Sequence, residues 1–184
     1  CSAVAATSFN KDVILNTLND GTHPWLVDVN WVTPAACLRI YDVNDIDSEN
    51  RSTSPFVIRA GFTFIAPSAT TPDLNADTIP DLEVGQVFKI IWQKTGNIPN
   101  VKIEYSPGGN NFTTDIRPIE PTLDGIVPNT NAAGCNTDEG CYLWTVPDIE
   151  DNKDTNIKLR IRDPNDPGAE ALSVNFYIVP KFTV

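Results

Sequence analysis

The stretch Leu38 to Phe64 reads LRIYDVNDIDSENRSTSPFVIRAGFTF, and from Leu159 the chain reads LRIRDPNDPGAEALSVNFYIVPKFTV. This internal repeat constrains the fold more than any other feature. Arg39, Asp42, Asn44 and Asp45 recur as Arg160, Asp163, Asn165 and Asp166, each 121 places on. Phe56, Ile58, Phe62 and Thr63 recur as Phe176, Ile178, Phe182 and Thr183, 120 places on, and Gly21 and Trp25 recur as Gly140 and Trp144, 119 places on. So small a drift means loop-length changes within one register. A period of about 120 residues is too long for a solenoid unit and fits a whole domain. One period fits between Phe62 and Val184, whereas residues 1–61 match only the later part of one. The expected organisation is a partial module over 1–61, holding the later strands of a repeat, and a complete module over 62–184 with a connector at 65–84. The chain stops at KFTV, where the first copy runs on into IAPSATTPD. The expectation is a piece of a longer repetitive protein, or a subunit whose ends neighbours complete.

The hydrophobic periodicity is that of strands. VFKIIWQK sets Val87 or Phe88, Ile90 and Trp92 in near alternation, and VKIEYS alternates Val101, Ile103 and Tyr105 with Lys102 and Glu104. Tyr142, Trp144 and Val146 share a face, as do Ile157, Leu159 and Ile161, and Val174, Phe176 and Ile178. Period two with β-branched and aromatic residues describes half-buried strands. Between them lie TGNIPN, SPGGNN, PDIEDNKD and DPNDPGAE, rich in the residues that turns require. Fifteen prolines oppose long helices. The predicted class is all-β, an antiparallel sandwich or barrel. KDVILNTLND (Lys11 to Asp20) fits either a short helix or a strand, and in both cases is expected to serve core packing.

From Val84 the chain shows an I-x-W…G…V-x-I-x-Y-S hairpin, then Y-x-W-x-V-P, then R-I-x-D and S-x-x-F-x-I. This order resembles the tandem immunoglobulin-like β-sandwich modules of secreted bacterial and archaeal surface proteins. The resemblance spans about Phe62 to Val184, and Asp20 to Phe64 as the later strands of a preceding module. It implies tandem Ig-like sandwiches and a role in adhesion, spacing or assembly at a surface, without catalysis. The motif residues are core positions, so they speak to fold more than to function. Trp25 with Phe56, and Trp144 with Phe176, are expected in equivalent buried places.

A formal net charge of −11 argues against nucleic acid, whose binders cluster Lys and Arg. No apolar run is long enough to span a bilayer as a helix. Cys135 and Cys141 bracket the turn sequence NTDEG and are expected to form a disulfide, leaving Cys1 and Cys37 as a second pair. A single histidine and the lack of a C-x-x-C pair argue against zinc. An even cysteine count and two sequons, at Asn50 and Asn111, point to an oxidising, extracellular or cell-surface location. Cys1 followed by SAVAA also resembles the start of a mature bacterial lipoprotein.

His23, the one histidine, has no serine or cysteine in a nucleophile context beside it, and no enzyme is expected. Two acidic loops are candidate calcium sites. One offers Asp42, Asn44, Asp45, Asp47 and Glu49, the other Asp73, Asn75, Asp77 and Asp81. Closely spaced oxygen ligands suit Ca²⁺, yet the second loop lacks glycine at the sixth place and glutamate at the twelfth. The competing reading makes these residues turn-formers, and recurrence of D-x-N-D at 163–166 favours it. Trp31 is the tryptophan open to a sugar-stacking role, and Lys89 with Asn175 is a remote candidate for a spontaneous cross-link. The functional expectation is a structural subunit of an extracellular filament, stalk or surface layer. It would assemble head-to-tail with itself through strand-edge contacts that use Val179, Phe182 and Val184. The alternative is an adhesin or carbohydrate-binding accessory module of a larger secreted protein.

Overall fold

The computed structural model describes residues 1, 8–74, 76–107, 112–119, 121–149 and 156–181, and among them it is all-β, with no α-helix. The chain divides into two compact units, Cys1–Arg59 and Ala60–Val184. The division precedes Gly61 and Phe62 because both belong to a strand that pairs within the second unit.

The first unit holds β1 (Thr33–Ala36), β2 (Arg39–Asp42), β3 (Asp45–Arg51) and β4 (Phe56–Ile58). β1 pairs antiparallel with β4, and β2 with β3. The second unit holds β5 (Gly61–Ala66), β6 (Asp81–Glu83), β7 (Val87–Thr95), β8 (Asn100–Ser106), β9 (Arg117–Pro118), β10 (Ile126–Pro128), β11 (Glu139–Thr145), β12 (Lys158–Arg162), β13 (Glu170–Leu172) and β14 (Tyr177–Val179). One sheet runs β10-β8-β12-β13, with β9 also on β8, a second runs β11-β7-β5, and β14 pairs parallel with β6. The expected connector therefore contributes to the module. β5 extends the β11-β7 sheet, and Leu82 of β6 is 1 % exposed.

The second unit is sandwich-like. Ile90 and Trp92 of β7, Trp144 of β11, Val101 and Ile103 of β8, and Leu159 and Ile161 of β12 are all fully buried. The ring of Tyr105 on β8 lies 5.8 Å from that of Trp144 on β11, so the two larger sheets meet across the core. Each such aliphatic side chain contributes roughly 1.5–3 kcal/mol of burial. Gly140 faces Trp92 across the β11–β7 pair, and a Cβ there would lie 2.3 Å from the indole. Glycine is what lets the ring cross the strand. The indole N–H donates to Asn129 Oδ1 at 2.9 Å, and Asn129 Nδ2 donates to the Ile98 carbonyl.

The β12–β13 hairpin of the second unit is reproduced as β2–β3 in the first. Arg39 stands opposite Arg51 and Ile40 opposite Asn50, as Arg160 stands opposite Leu172 and Ile161 opposite Ala171. The Leu38 N–H donates to Ser52 Oγ at 3.1 Å, and the Leu159 N–H to Ser173 Oγ at 2.9 Å. Asp42 Oδ1 accepts the Asn44 N–H at 2.9 Å, and Asp163 Oδ1 the Asn165 N–H at 2.8 Å. Ala36 meets Phe56 as Ile157 meets Phe176. The Trp25 and Phe56 rings are 6.3 Å apart at 84°, and those of Trp144 and Phe176 are 6.3 Å apart at 81°.

Four expectations need correction. The strands of Trp92 and Tyr105, expected as a hairpin, do not pair with each other, because β7 joins the β11-β7-β5 sheet and β8 crosses to the β10-β8-β12-β13 sheet. Trp144 is fully buried but Trp25 only half-buried, because the strands that cover Trp144 have no counterpart among the described residues of the first unit. Lys11 to Asp20 forms neither helix nor strand, and Ile14, Leu15 and Leu18 are exposed, so the segment does not serve core packing. Val174 is exposed while Phe176 and Ile178 are buried, so the shared face begins only at Phe176.

Candidate assembly site

The most unusual surface is the one the first unit leaves uncovered. In the second unit, β12 has a neighbour on each side, β13 and β8. Its twin β2 pairs with β3 alone among the described residues. The other edge of β2 presents backbone N–H and C=O groups where β8 would lie, and such an edge is a template for strand addition. Equivalent side chains record the same difference. Leu159 and Ile161 are 0 % exposed, whereas Leu38 and Ile40 are 42 % and 66 % exposed. Val146 is 1 % exposed and its twin Val27 is 40 % exposed. Asp20 to Leu26, the counterpart of β11, is not a strand, and among the described residues no twin of β7 bonds it. Gly21, the twin of Gly140, has nothing within 4 Å of where its Cβ would stand.

Electrostatics follow the same pattern. Glu104 on β8 is deeply buried and lies opposite Arg160. Arg160 donates to it from Nη2 at 2.6 Å and from Nε at 3.0 Å, Lys102 Nζ lies 3.0 Å away, and Arg162 Nε lies 3.3 Å away. Burial pushes the Glu104 pKa up, but hydrogen bonds from Lys102 and Arg160 and the charges of Arg160 and Arg162 outweigh it and hold the carboxyl below its ordinary value. The Arg160 guanidinium also lies 4.7 Å from the Phe112 ring. Arg39, the twin of Arg160, has no Glu104 beside it. It turns instead to Glu49 on β3, at 2.5 Å, and stacks over Tyr41 at 4.6 Å. Burial pushes the Glu49 pKa up, and hydrogen bonds from Arg51 and Arg39 together with their charges outweigh it and bring the carboxyl below its ordinary value.

The other candidate residues lie apart from this edge or are otherwise engaged. Asp42 and Asp45 cap the β2–β3 turn, where Asp45 Oδ1 accepts the Asp47 N–H at 3.3 Å. Asp73 accepts the N–H groups of Ala76 and Thr78, Asp77 that of Ile79, and Asp81 that of Leu74. Among the described residues no three acidic, histidine or cysteine side chains gather as a metal site. Asn75 lies outside the described residues, as do Asn111, Phe182 and Val184. Asn50 is exposed on β3. Disulfides join Cys1 to Cys37 and Cys135 to Cys141. His23 Nδ1 lies 3.5 Å from Thr17 Oγ1 on the exposed surface. Trp31 is half-buried against Trp25, with ring centres 5.8 Å apart. Lys89 Nζ donates to the Gly134 carbonyl at 3.0 Å. Val179 belongs to β14, opposite Glu83, and its carbonyl accepts the Val84 N–H, so it already serves the second unit's own packing.

Sequence reasoning singled out neither Leu38 and Ile40 nor Arg39 with Glu49. The available signal was the pairing of Leu38 and Ile40 with Leu159 and Ile161 in the repeat, taken with the lack of any β7–β8 motif before Gly21. Comparison with protein-family models, with curated proteins and with solved structures finds no match to this chain. No helix among the described residues is long and apolar enough to cross a membrane.

Proposed function

We propose that this protein is a structural subunit of an extracellular assembly, a filament, stalk or surface layer of tandem Ig-like modules, joined head-to-tail through strand edges. The observation that carries this reading is the outer edge of β2, unpaired among the described residues and flanked by the exposed Leu38 and Ile40, whose twins are core residues in the second unit. A head-to-tail contact that does not close into a ring propagates into a filament. Two disulfides fit an oxidising compartment. Residues at the Val184 end of one subunit would pack against the first unit of the next. In place of the candidate set Val179, Phe182 and Val184, the contact rests on Phe182 and Val184, since Val179 is committed to β14. Electron microscopy of the concentrated protein should show long particles, and the double variant Phe182→Lys, Val184→Lys should remove them. Long particles persisting in the double variant, or a monomeric wild type at high concentration, would sink the reading.

A further inference from the structure

We infer that the second unit carries a self-association face of its own, on which β5 of one copy pairs antiparallel with β5 of a second copy about a two-fold axis. The inference goes beyond the head-to-tail contact and uses none of its residues. β5 and β13 each close one of the two larger sheets, and the two strands lie alongside each other. Among the described residues β5 bonds β7 alone and β13 bonds β12 alone. Between them runs a groove of about 210 Å³ whose walls include Phe62, Phe64, Pro67, Leu172 and Val174. That is below the roughly 300–1,000 Å³ of small-molecule pockets, so side chains of another chain suit it better than a ligand. Phe62 and Phe64 are only half-buried, and Leu172 and Val174 are exposed.

Charge selects the occupant. The chain has a formal net charge of −11, so two copies repel wherever their acidic surfaces meet. This side is free of that repulsion, because no charged residue lies between Arg59 and Asp73 or between Glu170 and Lys181. A strongly acidic or basic partner finds nothing here to pair with, whereas a second copy presents the same neutral face. Other outer strands of the two sheets are guarded. β9 and β10 end in Pro118 and Pro128, and the Thr130 carbonyl takes the Cys141 N–H of β11. Proline and covering loops block strand addition, and Gly61 to Ala66 holds no proline and no charge. The ladder of β5 on β7 is regular from Gly61 to Phe64. Centring the two-fold on Thr63 sets Thr63 opposite its own twin, and Phe62 opposite Phe64 of the second copy twice over. Each strand then keeps its faces. The phenylalanines extend the core side towards Leu172 and Val174, and Thr63 stays outside. Main-chain bonds supply affinity, and the paired aromatic rings supply register. One patch serves both copies, so the contact closes as a dimer and does not propagate.

Sedimentation equilibrium of the full chain tests this, run in the Phe182→Lys, Val184→Lys background so that long particles do not mask a dimer. The expected outcome is a concentration-dependent dimer. Thr63→Lys should weaken it roughly tenfold or more, because two like charges then stand directly opposite each other. Thr63 is exposed, so the unfolding midpoint of that variant should stay where it was. A second variant reads the register without relying on affinity. Thr63→Cys under mild oxidation should give a dimer linked between the two introduced cysteines, with the native pairs Cys1–Cys37 and Cys135–Cys141 intact by peptide mapping. Ile65→Cys should not, since its two copies would stand roughly 13 Å apart along the paired strands. A chain that stays monomeric at millimolar concentration and gives no link at position 63 overturns the inference. So does a dimer indifferent to Thr63→Lys, or one in which the cysteine introduced at 63 is found against any segment other than its twin. The two readings fail separately. Long particles from a wild type that never cross-links through position 63 would remove this inference alone. A dimer linked at 63 from a wild type that forms no long particles would remove the filament reading alone.

Discussion

Leu38 and Leu159 are the same residue in the same local structure, with the same partner serine, yet one is 42 % exposed and the other fully buried. The two copies show that a core position is made by its neighbours, not by its own strand. The hairpin, its Asx turn and the Trp–Phe edge contact all form in the first unit, because each needs only residues near in sequence or one strand away. Burial does not follow, because it needs strands such as β7 and β8, one in each of two sheets, from far along a repeat. The counterpart of β11 is irregular in the same way, since among the described residues it has no strand partner and leaves its backbone groups to water.

The largest expected break in this comparison is at the tryptophans. Trp144→Ala should destabilise the second unit by about 3–5 kcal/mol, as for large aromatics in packed cores. Trp25→Ala should cost the first unit less than half of that, because its ring is only half-buried. Denaturant unfolding followed separately in the two units checks this, and equal costs would mean that the first unit is as well covered as the second.

The isoleucines sharpen the point. Ile161→Ala should cost about 2–5 kcal/mol. Ile40→Ala should stay within about 0.5 kcal/mol in the isolated chain, as exposed substitutions do. A large cost at Ile40 in dilute, monomeric protein would contradict the open face.

A third contrast concerns the buried carboxylate. Glu104→Gln should cost about 1.5–3 kcal/mol near neutral pH, the range for hydrogen bonds to charged groups. The Glu104 pKa is lowered in the fold relative to its ordinary value of 4.5. The sign follows from that direction, since a depressed acid contributes stability that is full above the unfolded value and is lost as pH falls through the folded one. Wild type and Glu104→Gln should therefore differ most above pH 4.5 and converge below it. Urea midpoints measured across acid pH read this directly, and a gap that widened on acidification would refute the assigned role. The exposed Glu49 should show the same sign with a smaller amplitude.

By itself the sequence determined the class of structure and its internal symmetry. Alternation in VKIEYS and IKLRIRD forces strands, and the residues DVND and DPND form the same turn, because these depend on periodicity and on local side-chain to backbone bonds. The pairing of the four cysteines was also legible, from an even count and the turn between Cys135 and Cys141. What only the tertiary structure decided is which apolar residues are covered. Nothing in LRIYD distinguishes it from LRIRD as a core strand, and Trp25 reads like Trp144. It also decided that Val179 is held within its own unit, and that Arg39 turns back to Glu49 where Arg160 reaches Glu104. These outcomes depend on which strands lie alongside, and the physical reason is that burial and charge pairing are properties of a completed layer, whereas turns and strand register are properties of the segment alone.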